Sequence, residues 1–265
     1  VTFVEGKSGG LTQEWKSFDV ALTTGADVKP TTKARFALIA DQPGTVWLSL
    51  VSLFPPTWKD RPNGLRPDLM QMLVDMKPKF LRFPGGNYLE GDTIDLRFKW
   101  KETIGPLTER PGHQGPWGYR STDGMGLMEF LLWAKDMGAE PVLGLYAGYS
   151  LKGDYVKPGK DLEPFVEEAL EEIEYVIGPV TSKWGARRAK DGHPEPFKLR
   201  YVEIGNEDWF DKSGSYDGRY AQFHDAIKKR YPQLKCISSI GGEQDAKKRV
   251  HSPKPDVLDD HSYRT

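Results

Sequence analysis

A single cysteine, Cys236, occurs among the 265 residues. One thiol excludes an intrachain disulfide and any zinc or iron–sulfur site built from several cysteines. Long apolar runs are missing too: no stretch of about 18 apolar residues is present, so no helix is predicted to span a bilayer. Neither charge is in excess, because 37 Lys and Arg stand against 38 Asp and Glu for a net charge of −1. Nucleic-acid-binding proteins usually carry a clear basic excess, so neither nucleic acid nor a membrane is an expected partner.

Further absences concern short motifs. No GxGxxG opens a helix and no GxxxxGK[ST] occurs, so the main sequence signals for nucleotide binding are missing. The sequence opens on Val1 with neither a basic nor an apolar leader segment, so no signal peptide is predicted. We therefore expect the chain to begin inside a longer protein.

Aromatic residues, glycine and proline are plentiful. Aromatics make up 12% of the chain, and it contains 28 Gly and 20 Pro. Exposed rings on loops suit a ligand with flat apolar faces, such as a sugar, whereas the same composition also suits a loop-rich packed core. Composition alone leaves both interpretations open.

The pattern of the chain changes near residue 56. Residues 1–55 contain short alternating runs, at 36–40 and 45–51, that predict strands of a partial β-sandwich, as in a carbohydrate-binding module. Residues 56–265 alternate strands with amphipathic helices. Strands are predicted over 79–83, 141–146, 199–204, 236–240 and 257–258. Helices are predicted to start at Pro67, Asp123 and Asp161, with the second ending at Gly138, and a fourth helix is predicted around Tyr220. The stretch 183–190 is predicted to be a solvated loop.

Repeated strand–helix units predict an α/β fold with a parallel sheet, either open or closed as a barrel. Polar residues and glycines gather directly after the predicted strands, and in a barrel those strand ends share the face that carries the chemistry. The most informative of these segments is YVEIGNE at 201–207. A carboxylate at the end of an apolar strand is partly desolvated and suits general acid/base work, so Glu207 is our candidate, with Asn206 as a donor to a substrate hydroxyl. Glu207 could instead only cap the next segment.

Several segments together resemble glycoside hydrolase family 51, most closely its plant- and fungal-type α-L-arabinofuranosidases, over roughly residues 45–265. They are SLFPPTWK at 52–59, RPNGLR at 61–66, FLRFPGGNY at 80–88, WKETIGP at 100–106 and IGNE at 204–207. The resemblance implies a partial (β/α)8 TIM barrel, about strands 2–6, over 56–265, preceded by part of a β-sandwich over 1–55.

The resemblance also implies roles for single residues. Glu207 is similar to the family's acid/base, and Asn206 to the donor to the sugar hydroxyl beside the anomeric carbon. The remaining implied substrate-binding positions are Arg82 and Asn87 around the arabinofuranose, Trp117 as an aromatic wall on the leaving side, and the His261 and Tyr263 pair near the nucleophile.

Each of these residues has a simpler interpretation. Arg82 could pair internally with Glu203 or Glu207, Asn87 could be only a turn residue, and His261 could be a satisfied core histidine. Tyr146, Tyr149, Trp209 and Phe210 could line a sugar subsite or only pack their loops.

A retaining glycosidase needs a second carboxylate about 5–5.5 Å from the first. The family places this nucleophile after its seventh barrel strand, which cannot be aligned before Thr265, so we expect it to lie outside this chain. Glu243, Asp259 and Asp260 follow strands and are weaker candidates. Five parallel strands would leave open edges. We therefore expect a central fragment of a longer enzyme, completed by a missing segment or a complementary chain that carries strands 7 and 8.

The expected function is release of terminal α-L-arabinofuranosyl residues from arabinoxylan- or arabinan-type polysaccharides and oligosaccharides of the plant cell wall, that is, hemicellulose degradation. No metal or organic cofactor is implied, because two carboxylates carry the chemistry. The alternatives are another retaining barrel glycosidase, such as an endoglucanase or xylosidase, and a fragment that binds carbohydrate without turnover. Family resemblance implies a secreted, periplasmic or cell-wall setting.

Overall fold

The structure, a computed structural model, describes residues 6, 9–241 and 247–261. Contacts divide the chain into two units, one ending at Ser49 and one beginning at Leu50. The sequence pattern instead changes at 55–56.

The first unit differs from expectation. Within described residues 9–55 there is neither a helix nor a strand, so the strands predicted over 36–40 and 45–51 are wrong for this structure. A strand is stabilised by side chains and backbone groups of a neighbouring strand, and this segment supplies none. Its apolar side chains accordingly stay exposed, as Trp47 and Ile39 show. The assignment of residues 1–55 to a β-sandwich remains a prediction.

A parallel sheet organises the second unit. Five strands, numbered in chain order with those of a short hairpin, pair in the order β1–β4–β5–β6–β7, and every neighbouring pair is parallel. The strands are β1 (Phe80–Phe83), β4 (Glu140–Leu145), β5 (Tyr201–Ile204), β6 (Lys235–Ser238) and β7 (Val257–Leu258), with β2 (His113–Gln114) and β3 (Arg120–Ser121) forming the hairpin. All five predicted strands are therefore present. The α/β class is confirmed, whereas closure into a barrel remains a prediction.

Among the described residues, one α-helix precedes the sheet and four connect β1, β4, β5 and β6 along the chain. They are α1 (Pro67–Met76), α2 (Leu127–Met137), α3 (Glu163–Ile177), α4 (Lys183–Lys190) and α5 (Tyr216–Arg230). Proline fits the first turn of a helix because its missing N–H would have no partner there, and α1 begins at Pro67 as predicted. Gly138 ends α2 in the left-handed conformation, also as predicted.

Three local predictions are wrong. Asp123 does not cap α2, which begins after Gly126; its carboxylate instead accepts a hydrogen bond from Tyr88 at 2.7 Å. Asp161 lies in a short 3-10 turn, and Leu162 is the residue before α3. The stretch 183–190 is helix α4, and its Arg188 is fully buried, where it donates to the backbone carbonyls of Tyr175, His193 and Pro194.

The core lies between the sheet and its helices. Beyond Glu140, strand β4 is apolar, which is typical of a strand covered on both faces, and Leu143 and Leu145 are fully buried. Ile173 and Val176 of α3 join the same cluster. This packing fixes the positions at which the strands end, and the loops after those ends carry the candidate site. None of the described helices has the length and apolar character that crossing a membrane requires.

A buried carboxyl on α3 gives a testable effect on stability. Glu172 is 4% exposed, and its Oε1 has no hydrogen-bond partner among the described residues. Burial, reinforced by nearby Glu168, raises the pKa of Glu172 well above its ordinary value. The contribution of Glu172 to folding stability is fully present below its unfolded pKa of about 4.3. As the pH rises, this contribution falls by about 1.4 kcal/mol per pH unit until the folded pKa is passed. We expect Glu172→Gln to remove this loss.

The measurement is thermal unfolding of wild type and Glu172→Gln at about pH 5 and about pH 8. At the higher pH, the thermal midpoint of the variant should rise relative to that of wild type. Exposed Glu167 on the same helix supplies the matched control, Glu167→Gln. Its thermal midpoint should differ from that of wild type by the same amount at both pH values. An equal response of the Glu172 variant would contradict the assignment.

Candidate active site

Three strand exits, the loops that follow the carboxyl ends of β1, β5 and β7, bring the candidate residues together. Parallel strands end at the same edge of a sheet, so loops that are distant in sequence become neighbours there. Asn87 follows β1, Glu207 follows β5 and His261 follows β7. Hydrogen bonds link these side chains across 120 and 54 positions of sequence.

The exit of β5 depends on a glycine. Gly205 has φ of +88°, and a Cβ built there would lie 1.9 Å from Oδ2 of Asp208. Only glycine adopts this conformation without strain and leaves that space free. Glu207 itself has φ of +48°, in the left-handed region. This sharp turn directs the chain from β5 into a short 3-10 turn and sets Asn206 and Glu207 at the sheet edge.

Glu207 is held by residues from the two other exits. Its Oε1 lies 2.8 Å from Nδ1 of His261, and its Oε2 accepts a longer hydrogen bond of 3.4 Å from Nδ2 of Asn87. The side chain is 12% exposed, so it is sheltered yet still reachable from solvent. Glu207 makes no side-chain cap to the following turn, so the geometry does not favour the alternative in which it acts only as a cap.

His261 bridges two carboxylates. Its Nδ1 faces Glu207, and its Nε2 lies 2.8 Å from Oδ2 of Asp259. Burial alone would lower the pKa of His261, but the hydrogen bonds to Glu207 and Asp259 outweigh it and the pKa lies above its ordinary value. The ring of Trp209 packs edge-on against the imidazole with centroids 5.1 Å apart. His261 therefore belongs to the polar cluster rather than to the apolar core.

Arg82 both pairs internally and reaches the candidate site. Its guanidinium forms a two-point salt bridge with Glu203 of β5, and its Nη2 donates to Oδ1 of Asn206 at 2.8 Å. Burial raises the pKa of Glu203 to about 7, although the Arg82 charge opposes the shift. Asp259 lies 3.7 Å from the same guanidinium.

Glu90 is a member of the cluster that sequence reasoning missed. It is 3% exposed and accepts hydrogen bonds from Nδ2 of Asn87 at 2.9 Å and from Nδ2 of Asn206 at 2.9 and 3.1 Å. Burial raises the pKa of Glu90 to about 8, while both amide donors lower it in part. The only sequence signal is its place three residues beyond Asn87, in a loop that follows a strand.

These contacts form a closed circuit of side chains. Each member touches the next, and the last returns to the first through the contact between Asp259 and Arg82. The circuit runs Arg82, Asn206, Glu90, Asn87, Glu207, His261, Asp259, Arg82, with Glu203 attached at Arg82. Five of the seven predicted site residues, Arg82, Asn87, Asn206, Glu207 and His261, therefore lie in one connected group.

Trp117 lies beside this circuit on the β2–β3 hairpin. Its ring stacks on Tyr88, the residue after Asn87, with centroids 6.3 Å apart and planes 3° apart. It stays half exposed. Tyr88 is fixed from behind by its hydrogen bond to buried Asp123, which also contacts His113 at 3.0 Å. A stacked, partly exposed pair of rings next to polar groups is a suitable surface for a sugar ring.

The other candidates include two residues that the structure does not describe and two tyrosines that follow β4. Tyr263 and Glu243 fall outside the described residues. Tyr146 and Tyr149 are buried, with the Tyr146 hydroxyl 3.0 Å from Ser150 Oγ, so the loop-packing interpretation fits them better than the subsite interpretation. Within the described ranges, no group of three or more His, Cys, Asp or Glu side chains is arranged to hold a metal ion.

Comparison with known proteins finds a matching family model and similar sequences. The model of the alpha-L-arabinofuranosidase 1 domain matches residues 72–265. The chain is 47% identical over 219 residues to a probable alpha-L-arabinofuranosidase A of Aspergillus flavus, covering 82% of this chain and 34% of that protein. It is 44% identical over 232 residues to alpha-L-arabinofuranosidase 2 of Arabidopsis thaliana, covering 87% of this chain and 33% of that one.

A solved structure is similar as well. The arabinose-bound GH51 α-L-arabinofuranosidase MgGH51 superposes with a TM-score of 0.74 at 46% identity, covering 80% of this chain and 33% of that chain. The present chain thus spans about a third of the length of the relatives it matches. The matched domain and the level of identity together show that the chain belongs to glycoside hydrolase family 51, the α-L-arabinofuranosidases.

Proposed function

We propose that the protein containing this chain is a retaining glycoside hydrolase that releases terminal α-L-arabinofuranosyl residues. The observation that carries the proposal is the placement of Glu207, sheltered at the exit of β5 and held by Asn87 and His261. The relatives carry the name alpha-L-arabinofuranosidase, which supports the same chemistry. Arabinoxylan- and arabinan-type polysaccharides and oligosaccharides are the proposed substrates.

In this mechanism Glu207 is the general acid/base. It protonates the departing glycosidic oxygen in the first step and deprotonates the attacking water in the second. His261 and Asn87 hold the carboxyl group in place. The proton must be available to the substrate, and the 12% exposure of the Glu207 side chain leaves a route to it.

Asn206 is proposed to bind the sugar hydroxyl beside the anomeric carbon. Its Oδ1 is occupied by Arg82, but Nδ2 carries two hydrogens. One of these hydrogens is shared between the two oxygens of Glu90, and the second hydrogen is left for the sugar. Arg82 and the half-exposed ring of Trp117 are proposed to line the sugar and its leaving side, respectively.

The nucleophile is proposed to come from elsewhere in the protein. Two described carboxylates near Glu207 already have strong partners, because Glu203 pairs with Arg82 and Asp259 with His261. A carboxylate engaged in this way is a poor attacking group. We propose that a segment or complementary chain carrying the remaining barrel strands supplies a free carboxylate about 5–5.5 Å from Glu207.

Product analysis with aryl glycosides tests the proposed function. The natural protein that contains this chain should release arabinose from an aryl α-L-arabinofuranoside at least about tenfold faster, by kcat/KM, than xylose or glucose from the matched β-glycosides. Faster release of xylose or glucose would favour the xylosidase or endoglucanase alternative. Thermal stabilisation by arabinose with no hydrolysis would favour a binding fragment.

A further inference from the structure

Glu90 touches two amides of the candidate site and is explained by neither the fold nor the acid/base chemistry. A carboxyl group that is 3% exposed is costly unless its oxygens are satisfied. Here Oε1 accepts from both Asn87 and Asn206, and Oε2 accepts from Asn206. These three hydrogen bonds therefore all come from Asn87 and Asn206, two residues of the proposed sugar-binding group.

The chemistry of the partners fixes which way the amides point. A guanidinium has only donors, so the atom of Asn206 that faces Arg82 must be its oxygen, and its nitrogen must face Glu90. Glu90 therefore has to act as an acceptor. The nitrogen of Asn87 is turned in the same way, with one hydrogen toward Glu90 and one toward Glu207.

The backbone around Glu90 is anchored to the exit of β4, which is not one of the three exits that form the candidate site. The carbonyl of Glu90 accepts from Oγ of buried Ser150 at 2.7 Å, and the carbonyl of Gly91 accepts from the N–H of Leu151 at 2.9 Å. These residues belong to the loop after β4. Glu90 thus connects its own loop after β1 with the exits of β4 and β5, and its position is set by backbone contacts rather than by the amides it holds.

We infer that Glu90 is a positioning residue for the reaction, which orients Asn206 and Asn87 so that one donates to the sugar and the other to Glu207. This inference rests on the proposed arabinofuranosidase function. Glu90 touches neither the sugar nor the reacting atoms in this assignment. Hydrogen bonds to the hydroxyl beside the anomeric carbon strengthen in the transition state, so a misplaced Asn206 should lower kcat more than it raises KM.

Glu90→Gln is the primary variant, because glutamine keeps the shape of the side chain. Its amide carries a single oxygen, so an NH2 group must face one of the asparagine NH2 groups, and the oriented arrangement is lost. We expect kcat to fall about 10- to 100-fold on an aryl α-L-arabinofuranoside, with a smaller change in KM. Buried Glu172 supplies the matched control, and Glu172→Gln should leave both constants unchanged.

A double-mutant cycle separates positioning from simple structural support. Glu90→Gln is measured in wild type and in an Asn206→Ala background, where the main amide held by Glu90 is gone. The loss should shrink to about two- to threefold in that background. An equal fall in kcat in both backgrounds, or a rise in KM alone, would overturn the inference. Glu90→Leu, with thermal unfolding measured alongside, repeats the cycle should the glutamine variant not fold.

The outcomes for the inference and for the proposed function are distinguishable. Absence of arabinose release by the wild-type protein contradicts the proposed function. Normal release by wild type together with wild-type kcat in Glu90→Gln overturns only the role of Glu90.

Discussion

Glu207→Gln is expected to lower the hydrolysis of natural arabinosides by about 10²–10⁴-fold, the contribution that a positioned acid/base group usually makes. Glutamine preserves the shape of the side chain, so the contacts with Asn87 and His261 change little in geometry, but it cannot supply or remove a proton. Natural leaving groups are poor and need that proton. An aryl leaving group departs without it, so the first step on an aryl arabinoside should be affected much less.

Added azide tests the role of Glu207 as a base in the second step. The second step needs a base to activate water, whereas azide attacks without one, so added azide should raise turnover of the Glu207 variant on the aryl substrate. Exposed Glu167 on α3 supplies the control, since Glu167→Gln should behave as wild type with and without azide. Equal losses on natural and aryl substrates, or none on either, would remove Glu207 from the acid/base role.

Arg219→Met is expected to destabilise the second unit by about 3–5 kcal/mol, the usual effect of removing one partner of a buried ion pair. Arg219 on α5 is fully buried and bonds Asp208 at 2.9 Å and Asp211 at 2.8 Å. Without it, two buried carboxylates lose their cation. For a unit of this size the thermal midpoint should fall by about 6–20 °C.

An exposed ion pair provides the comparison for Arg219. Arg66 and Asp68 approach to 2.5 Å, but both side chains are about 60% exposed, so water replaces either partner at little cost. Arg66→Met should therefore leave the midpoint unchanged. A midpoint of Arg219→Met within about 2 °C of wild type would contradict the assigned role of the buried pair.

The sheet was predictable because its strands are strongly marked in the sequence. Apolar runs such as 141–146 are bounded by Gly, Pro or polar residues, and each predicted strand is present in the structure. The candidate site followed from the same reasoning, since polar residues after parallel strands meet at one edge. Asn87, Asn206, Glu207 and His261 could therefore be grouped from the sequence, although family resemblance was needed to choose among them and to add Arg82, which lies within β1.

The errors arose where tertiary contacts override local signals. Asp123 and Asp161 are good caps by residue type, but Asp123 is drawn to Tyr88 and the chain before α3 tightens into a 3-10 turn. Helix α4 looked like a solvated loop because it is rich in Lys and Arg. The burial of Arg188 depends on the carbonyl groups of Tyr175 and Pro194 outside α4, which the composition of 183–190 does not reveal.

Glu90 was missed for a related reason. A lone glutamate in a loop is ordinarily a solvated residue, and only the three-dimensional approach of Asn206 makes it a buried acceptor. Glu203 was noted solely as a possible partner for Arg82. A charged residue within an apolar strand that ends in a polar motif would be a useful signal in similar sequences.

The closed circuit of side chains also couples the protonation of neighbouring groups. The carboxyl groups of Glu203 and Asp259 both face the guanidinium of Arg82, and Asp259 also holds His261. A proton gained at Glu203 alters the charge felt by Asp259, and through it by His261, so these three groups bind protons in coupled steps. A titration will consequently report macroscopic constants of the three groups together, and a substitution at Asp259 is expected to shift the protonation of both Glu203 and His261.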